Sequence, residues 1–334
     1  MKTGKIIVLA FPDTFVTVTD EWLCRFLPLV GLGTKEYIKA GHAALILIEN
    51  KTGNAAYYDF GRYVTPEGYG RVRGANTDAE LTLPFKAQIK QDRIVNLSEF
   101  LMWLDANPDK THGEGRLLAS VCEDIDYQLA EGFIKNLQVQ GSVPYGAFQK
   151  NGSNCARFVT ETILSATNNK AIIKALKWNK KFTPSTVGNV EKSSAHEVFE
   201  VSDGEIKIFN GSAFKENLKN YFHKKRTIVD KVKVKNLPEN SQLLEGIGSN
   251  AWFEFVNEEL PLNHFRIRRY NDWHQIDYDG VYVASENFDL NVPYQFVYDS
   301  NCEYCHILQN KRKIKFNRIS DYASFSLMQK VHSA

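Results

Sequence analysis

Apolar residues are distributed along this chain in two textures. Up to about residue 190, strand-like and helix-like patterns are mixed. Ile6-Ile7-Val8-Leu9-Ala10-Phe11 is one short continuous apolar run and Ala43 to Ile48 is another, as expected of strands buried on both faces. The second run leads into the turn Asn50-Lys51-Thr52-Gly53-Asn54 and then Ala55-Ala56-Tyr57-Tyr58-Asp59-Phe60-Gly61, which is a hairpin signal. Glu21 to Val30 is aromatic and apolar, Leu97 to Leu104 has helical spacing, and Leu117 to Leu137 reads as one or two helices. From about Ser193 the pattern shifts to short alternating runs, Glu197 to Val201, Ala251 to Phe255 and Gly280 to Val283, which fit half-buried antiparallel strands. One helix is predicted among them, over Ala213 to Phe222. No repeat or low-complexity tract breaks either part. The pattern predicts an α+β domain over residues 1–190 and a mainly β accessory domain over residues 191–334.

Composition supports two folded domains: of 334 residues, 43% are apolar and 12% aromatic. The 41 Lys+Arg against 39 Asp+Glu leave a net charge of +2, so no global field draws the chain to nucleic acid or anionic lipid. Met1-Lys2-Thr3-Gly4-Lys5 begins like a secretion signal, but the six apolar residues before Pro12 fall short of the about 7–15 of such a segment. They are read as a buried first strand. No stretch approaches the about 20 apolar residues of a membrane span, and the expectation is a soluble, cytoplasmic protein. The five cysteines are too few and too odd in number for a disulfide framework, and free thiols are expected.

One of those cysteines stands apart. In Asn151-Gly152-Ser153-Asn154-Cys155-Ala156-Arg157-Phe158-Val159, turn and N-cap residues precede apolar positions with helical spacing, so a helix should begin at or just before Cys155. A thiol in the first turn meets free N–H groups and the positive end of the helix dipole, which favour the thiolate and can also bind an oxyanion. A buried structural cysteine is the alternative. The second candidate is His42, which opens an otherwise apolar strand. With the hairpin turn centred between Lys51 and Thr52, residue 42 pairs with residue 61, and Asp59 lies diagonally on the same face as His42, about 7–8 Å away between α-carbons. A carboxylate there can orient an imidazole.

Together these segments resemble a known superfamily. Gly41-His42-Ala43 before an apolar strand, an aromatic-rich partner strand, and a later Asn154-Cys155-Ala156-Arg157-Phe158-Val159 at a helix start are similar to the permuted branch of the papain-like NlpC/P60 superfamily, in which His precedes Cys. Phe11-Pro12-Asp13-Thr14, Gly61-Arg62-Tyr63-Val64 and Gly70-Arg71-Val72-Arg73-Gly74 extend the likeness to a bacterial family of this type, over about residues 1–190. The resemblance implies a central antiparallel sheet carrying His42, packed against the helix that carries Cys155, with Asp59 as third catalytic member on the strand after the histidine. It implies a cysteine-nucleophile hydrolase acting on an amide bond of a peptide-like or acylated substrate. The related lecithin:retinol acyltransferase-like group has a second His in place of Asp59, and the string Asn-Cys-Glu-His-Phe where this chain has Asn154-Cys155-Ala156-Arg157-Phe158. An acyltransferase or thioesterase with the same dyad, or a binding protein that keeps the fold, are the alternatives.

Around these residues, Arg71 and Arg73 are either a bidentate clamp for a carboxylate or phosphate or solvated loop charges. Tyr145 is either an aromatic wall of the cleft or part of a turn packed on the core, and Asn154 adjoins the nucleophile. His112 is a rival base or orienter, read as an exposed loop residue. Cys302-Glu303-Tyr304-Cys305-His306 matches the haem-attachment string and could offer zinc ligands with His264 or His274, but a lone Cys-x-x-Cys beside a strand pattern reads as structural thiols. No metal, cofactor or nucleic acid is expected. The basic runs His223-Lys224-Lys225-Arg226 and Lys311-Arg312-Lys313 are read as solvated faces, and the sequence carries no signal for an oligomeric state.

Overall fold

A computed structural model describes residues 2–18, 34, 36–181, 183–194, 196–222 and 237–332. The apolar segment Glu21 to Val30, Cys24 and the basic run His223 to Arg226 lie outside the described residues. In chain order the strands and α-helices to residue 222 are β1 (Gly4–Phe11), β2 (Phe15–Thr17), β3 (Tyr37–Lys39), β4 (His42–Glu49), β5 (Ala55–Gly61), β6 (Tyr69–Gly74), β7 (Ile89–Lys90), β8 (Arg93–Ile94), α1 (Leu97–Ala106), α2 (Pro108–Thr111), β9 (Leu117–Ile125), α3 (Tyr127–Gln140), β10 (Val143–Pro144), α4 (Cys155–Ala166), α5 (Lys170–Asn179), α6 (Thr186–Lys192), β11 (Phe199–Ser202), β12 (Glu205–Ile208) and α7 (Ala213–Phe222). After them come β13 (Gln242–Leu244), β14 (Ala251–Val256), β15 (His264–Tyr270), β16 (Ile276–Ala284), β17 (Gln295–Val297), β18 (Tyr304–Gln309), β19 (Arg312–Asp321) and α8 (Tyr322–His332).

The described residues cluster into two compact units. One draws on residues 1–61, 70–75 and 81–227, the other on residues 62–69, 76–80 and 228–334. The first is built on an eight-stranded sheet in the order β10-β6-β5-β4-β1-β9-β11-β12. Its central strands pair antiparallel: β1 lies between β4 and β9, and β5 between β4 and β6. Because β1 and β4 have helices over both faces, they carry apolar residues at nearly every position. Ile6, Val8 and Ala10 pack with Leu45, Phe158, Ile163 and Val190 in one core, and Ile7, Leu9 and Phe11 pack with Phe100 and Leu104 in another.

The hairpin of β4 and β5 has the counted register, with Ala44 opposite Asp59 and Ile48 opposite Ala55. Its turn needs glycine at residue 53, where φ is +71° and an added Cβ would lie 2.2 Å from the Ala87 carbonyl oxygen. Two expectations differ. Leu117 to Ile125 is a strand and only Tyr127–Gln140 is helical. β9 is covered on both faces, Leu117 and Ala119 facing one core and Leu118 and Cys122 the other, so its apolar pattern does not alternate and imitates a buried helix. The boundary near residue 190 also falls inside the first unit. Phe199 and Val201 of β11 pair with β9 and close the α1 core, so β11 and β12 extend the sheet that holds His42 to residue 208.

The second unit is a seven-stranded sheet in the order β13-β14-β15-β16-β19-β18-β17, joined by α8, which makes it the separate, mainly β C-terminal domain. Its core is aromatic, with Phe253, Phe255, Phe296 and Phe316 at the centre. Residues 62–69 and 76–80, assigned to the N-terminal domain in the sequence reading, belong to this unit: the Val64 N–H donates to the Ser249 carbonyl at 3.1 Å, and the Cys302 N–H to the Thr77 carbonyl at 2.9 Å. Among the described residues no helix is long and apolar enough to cross a membrane.

Candidate active site

β4 begins at His42, and the pleat places Tyr57 and Asp59 together on one face of β5. Asp59 is fully buried. Its Oδ2 lies 3.4 Å from Nε2 of His42 and accepts the Tyr57 hydroxyl at 3.1 Å. Directly across the β5–β6 ladder, Arg73 donates Nε to Oδ1 at 2.9 Å and Nη2 to Oδ2 at 2.6 Å. Burial would raise the carboxyl pKa, but the Arg73 charge and the His42 bond outweigh it and hold Asp59 well below the usual carboxylate range.

The nucleophile candidate is delivered by α4. Asn154 is extended (φ −142°, ψ 173°) and its side chain caps the helix, accepting the Arg157 N–H at 2.8 Å while Nδ2 donates to the Gly146 carbonyl and Thr183 Oγ1, both at 3.4 Å. Cys155 is therefore the first residue of α4, as its N-terminal signal predicts. The loop before it is tied down by the Arg157 guanidinium, which donates to the carbonyls of Ala147 at 2.6 Å, Gln149 at 2.7 Å and Gly152 at 3.0 Å. One turn on, Asn189 of α6 donates to the Ala156 carbonyl at 2.7 Å and accepts from Thr160 at 2.7 Å, which fixes the helix start from the other side.

The Cys155 thiol lies near enough to the His42 imidazole to favour its charged form. Burial pushes the imidazole pKa down, but the nearby Asp59 and Cys155 outweigh that and lift it to about 9. Phe11 stacks on the imidazole with ring centroids 6.2 Å apart. The fold thus brings Cys155, His42 and Asp59 near one another.

The other candidates fare differently. Arg71 and Arg73 are in β6 and buried, so neither is a solvated loop charge, and Arg73 spends its fork on Asp59 instead of a substrate. Tyr145 stacks on Phe60 at 5.9 Å and bridges to Ser153, the core-packed alternative. Asn154 serves α4 as its cap. His112 ends α2 in a left-handed conformation (φ 53°) and is half-buried, not at an exposed tip. In the C-terminal unit, Cys305 is in the aromatic core, Cys302 Sγ accepts from Arg269 Nη1 at 3.0 Å, and His306 Nδ1 meets the Asp299 carbonyl at 3.0 Å. The four described cysteines are free thiols. Tyr57 was not singled out by sequence, although its position two residues before Asp59 on the same strand face was the available signal.

Known proteins can now be set beside this geometry. The family model described as "Type VI secretion system effector TseH-like" matches residues 6–172. The chain belongs to this TseH-like effector family. The TseH-like segment takes in β1, His42, Asp59, Arg73, Cys155 and all of α4, and it ends within α5. A separate model, the DUF6695 C-terminal domain, matches residues 241–319, inside the β unit. A solved structure titled as the type VI secretion system effector TseH is similar at 19% identity and a TM-score of 0.42, covering 61% of this chain and 97% of that one. At that level it carries no detail of the TseH-like site across. Comparison with curated proteins gives no match.

Proposed function

We propose that the chain is a secreted cysteine-nucleophile hydrolase of the papain-like type that cleaves an amide bond in a peptide-like or acylated substrate. The observation that carries this reading is the His42 imidazole, which meets the Asp59 carboxylate at 3.4 Å and lies near the Cys155 thiol at the start of α4. Membership of a secretion-effector family suggests a hydrolase-type effector and removes the ground for expecting the protein to stay in the cytoplasm. In the proposed reaction, His42 already holds the proton given up by Cys155, and the thiolate adds to the substrate carbonyl carbon. The oxyanion forms beside the N-terminal N–H groups of α4, which have no partner one turn earlier in the helix. Collapse of this adduct breaks the C–N bond, and the imidazolium returns its proton to the leaving amine. Water, deprotonated by His42, then releases the acid and restores the thiol. Asp59 holds the imidazole tautomer and stabilises its charged form.

The test is a pH series of iodoacetamide labelling read by peptide mass spectrometry. Cys155 begins α4 near His42, whereas burial pushes the thiols of Cys122 and Cys302 up to about 12 and that of Cys305 well above the ordinary range. At about pH 6 Cys155 should react roughly tenfold or more ahead of these three. Equal labelling of all four would leave Cys155 a structural thiol, and the chain a binding protein on a hydrolase fold.

A further inference from the structure

We propose that Arg73 is a positioning residue of the catalytic site, acting through Asp59 by clamping the carboxylate that orients His42. This inference rests on the cysteine-hydrolase reading above. A carboxylate that met the imidazole by the 3.4 Å contact alone could turn about its Cβ–Cγ bond and lose it. The two parallel bonds from Arg73, at 2.9 and 2.6 Å, fix the carboxylate plane, because the guanidinium fork matches both oxygens at once. The clamp is itself braced: Nη2 also donates to the Lys110 carbonyl in α2 at 3.2 Å, and the Asp59–Arg73 pair sits directly opposite in the β5–β6 ladder.

The arginine also settles the charge of the site. A carboxylate with no exposure would take up a proton unless a cation faced it. Among the described residues, the groups bonded to Asp59 are Arg73 from β6, Tyr57 from its own strand, and His42 from β4, and Cys155 of α4 lies near His42. Of these, His42 cannot both titrate in catalysis and permanently neutralise Asp59. Arginine can, since it keeps its proton at every working pH. A guanidinium that is 1% exposed, with Nε and Nη2 both committed to one carboxylate, is not placed to meet a substrate.

The experiment repeats the labelling series with Arg73→Lys, Arg73→Met, Asp59→Asn and the double variant Asp59→Asn/Arg73→Met. In Arg73→Met, Asp59 should take up a proton within the working range and weaken its hold on the imidazolium. The acid limb of Cys155 labelling should then move up by about one pH unit or more, while the alkaline plateau stays in place. Arg73→Lys, which keeps the charge but not the fork, should recover only part of that shift. The double variant removes both buried charges together, so it should fold where Arg73→Met fails, and its profile should match that of Asp59→Asn alone. A profile lowered equally at all pH values in Arg73→Met, or a double variant shifted beyond Asp59→Asn, overturns the proposal. Loss of preferential Cys155 labelling in the wild type would instead overturn the hydrolase reading on which it rests.

Discussion

Replacing His42 with alanine is expected to lower kcat/KM for an activated ester such as a p-nitrophenyl ester by roughly 10²–10⁴, the usual contribution of a general base. Cys155→Ala should abolish turnover and the acyl-enzyme seen by intact-protein mass spectrometry. The His42 variant should also change the pH dependence of thiol reactivity. With the imidazole pKa at about 9, the wild-type site holds imidazolium beside Cys155 across neutral pH. Without it, iodoacetamide labelling should slow by about tenfold or more at pH ~6, yet little at pH ~9, where any accessible thiol is largely ionised. Stability should follow the same group. The folded pKa lies above the ordinary 6.5, so its contribution is fully present below about 6.5 and is lost as pH rises through about 9. Thermal unfolding of the wild type should therefore weaken between pH ~7 and ~9 by an increment that His42→Ala lacks. Labelling and turnover unchanged by His42→Ala would remove the histidine from the mechanism.

The candidate catalytic segments were legible in the sequence because each is specified locally. A capped helix start fixes the place of Cys155, and a short hairpin with one glycine-requiring turn fixes the register that sets Asp59 near His42. What stayed hidden was set by distant partners. Arg73 read as a loop arginine because the flanking Gly70 and Gly74 suggest flexibility, whereas the β5–β6 ladder pulls it into the core opposite Asp59. β9 read as helix because burial on both faces erases the alternation that marks a strand. The domain boundary was misplaced because β11 and β12 carry the same short alternating pattern as the C-terminal strands, and only their pairing with β9 shows which sheet they join.

In the C-terminal unit, Arg269→Met should be the most damaging single substitution, costing about 3–5 kcal/mol, because it strands buried carboxylates without their cation. Arg269 is 4% exposed, with Nη2 3.1 Å from Asp78, Nε 3.5 Å from Asp277, and Nη1 donating to Cys302 Sγ. Thermal unfolding, with hydrogen exchange over β15 and β16 to locate the loss, would measure it. Asp277 makes the complementary case. Its contact with Arg269 is too long for a hydrogen bond, and among the described residues neither of its oxygens receives one from another residue. Burial and the nearby Glu80 and Asp78 outweigh the arginine and lift its pKa from 3.8 to about 7. For a carboxyl raised in this way, the folded state binds a proton that the unfolded state releases. Its contribution is favourable below about 3.8, is lost as pH rises toward about 7, and is flat beyond. Asp277→Asn should therefore stabilise the unit at pH ~8, by on the order of 2 kcal/mol, with the gain fading toward pH ~4. If Asp277→Asn instead destabilised the unit at pH ~8, the ion pair with Arg269 would outweigh the cost of burying the carboxylate, and the buried cluster would be a net source of stability.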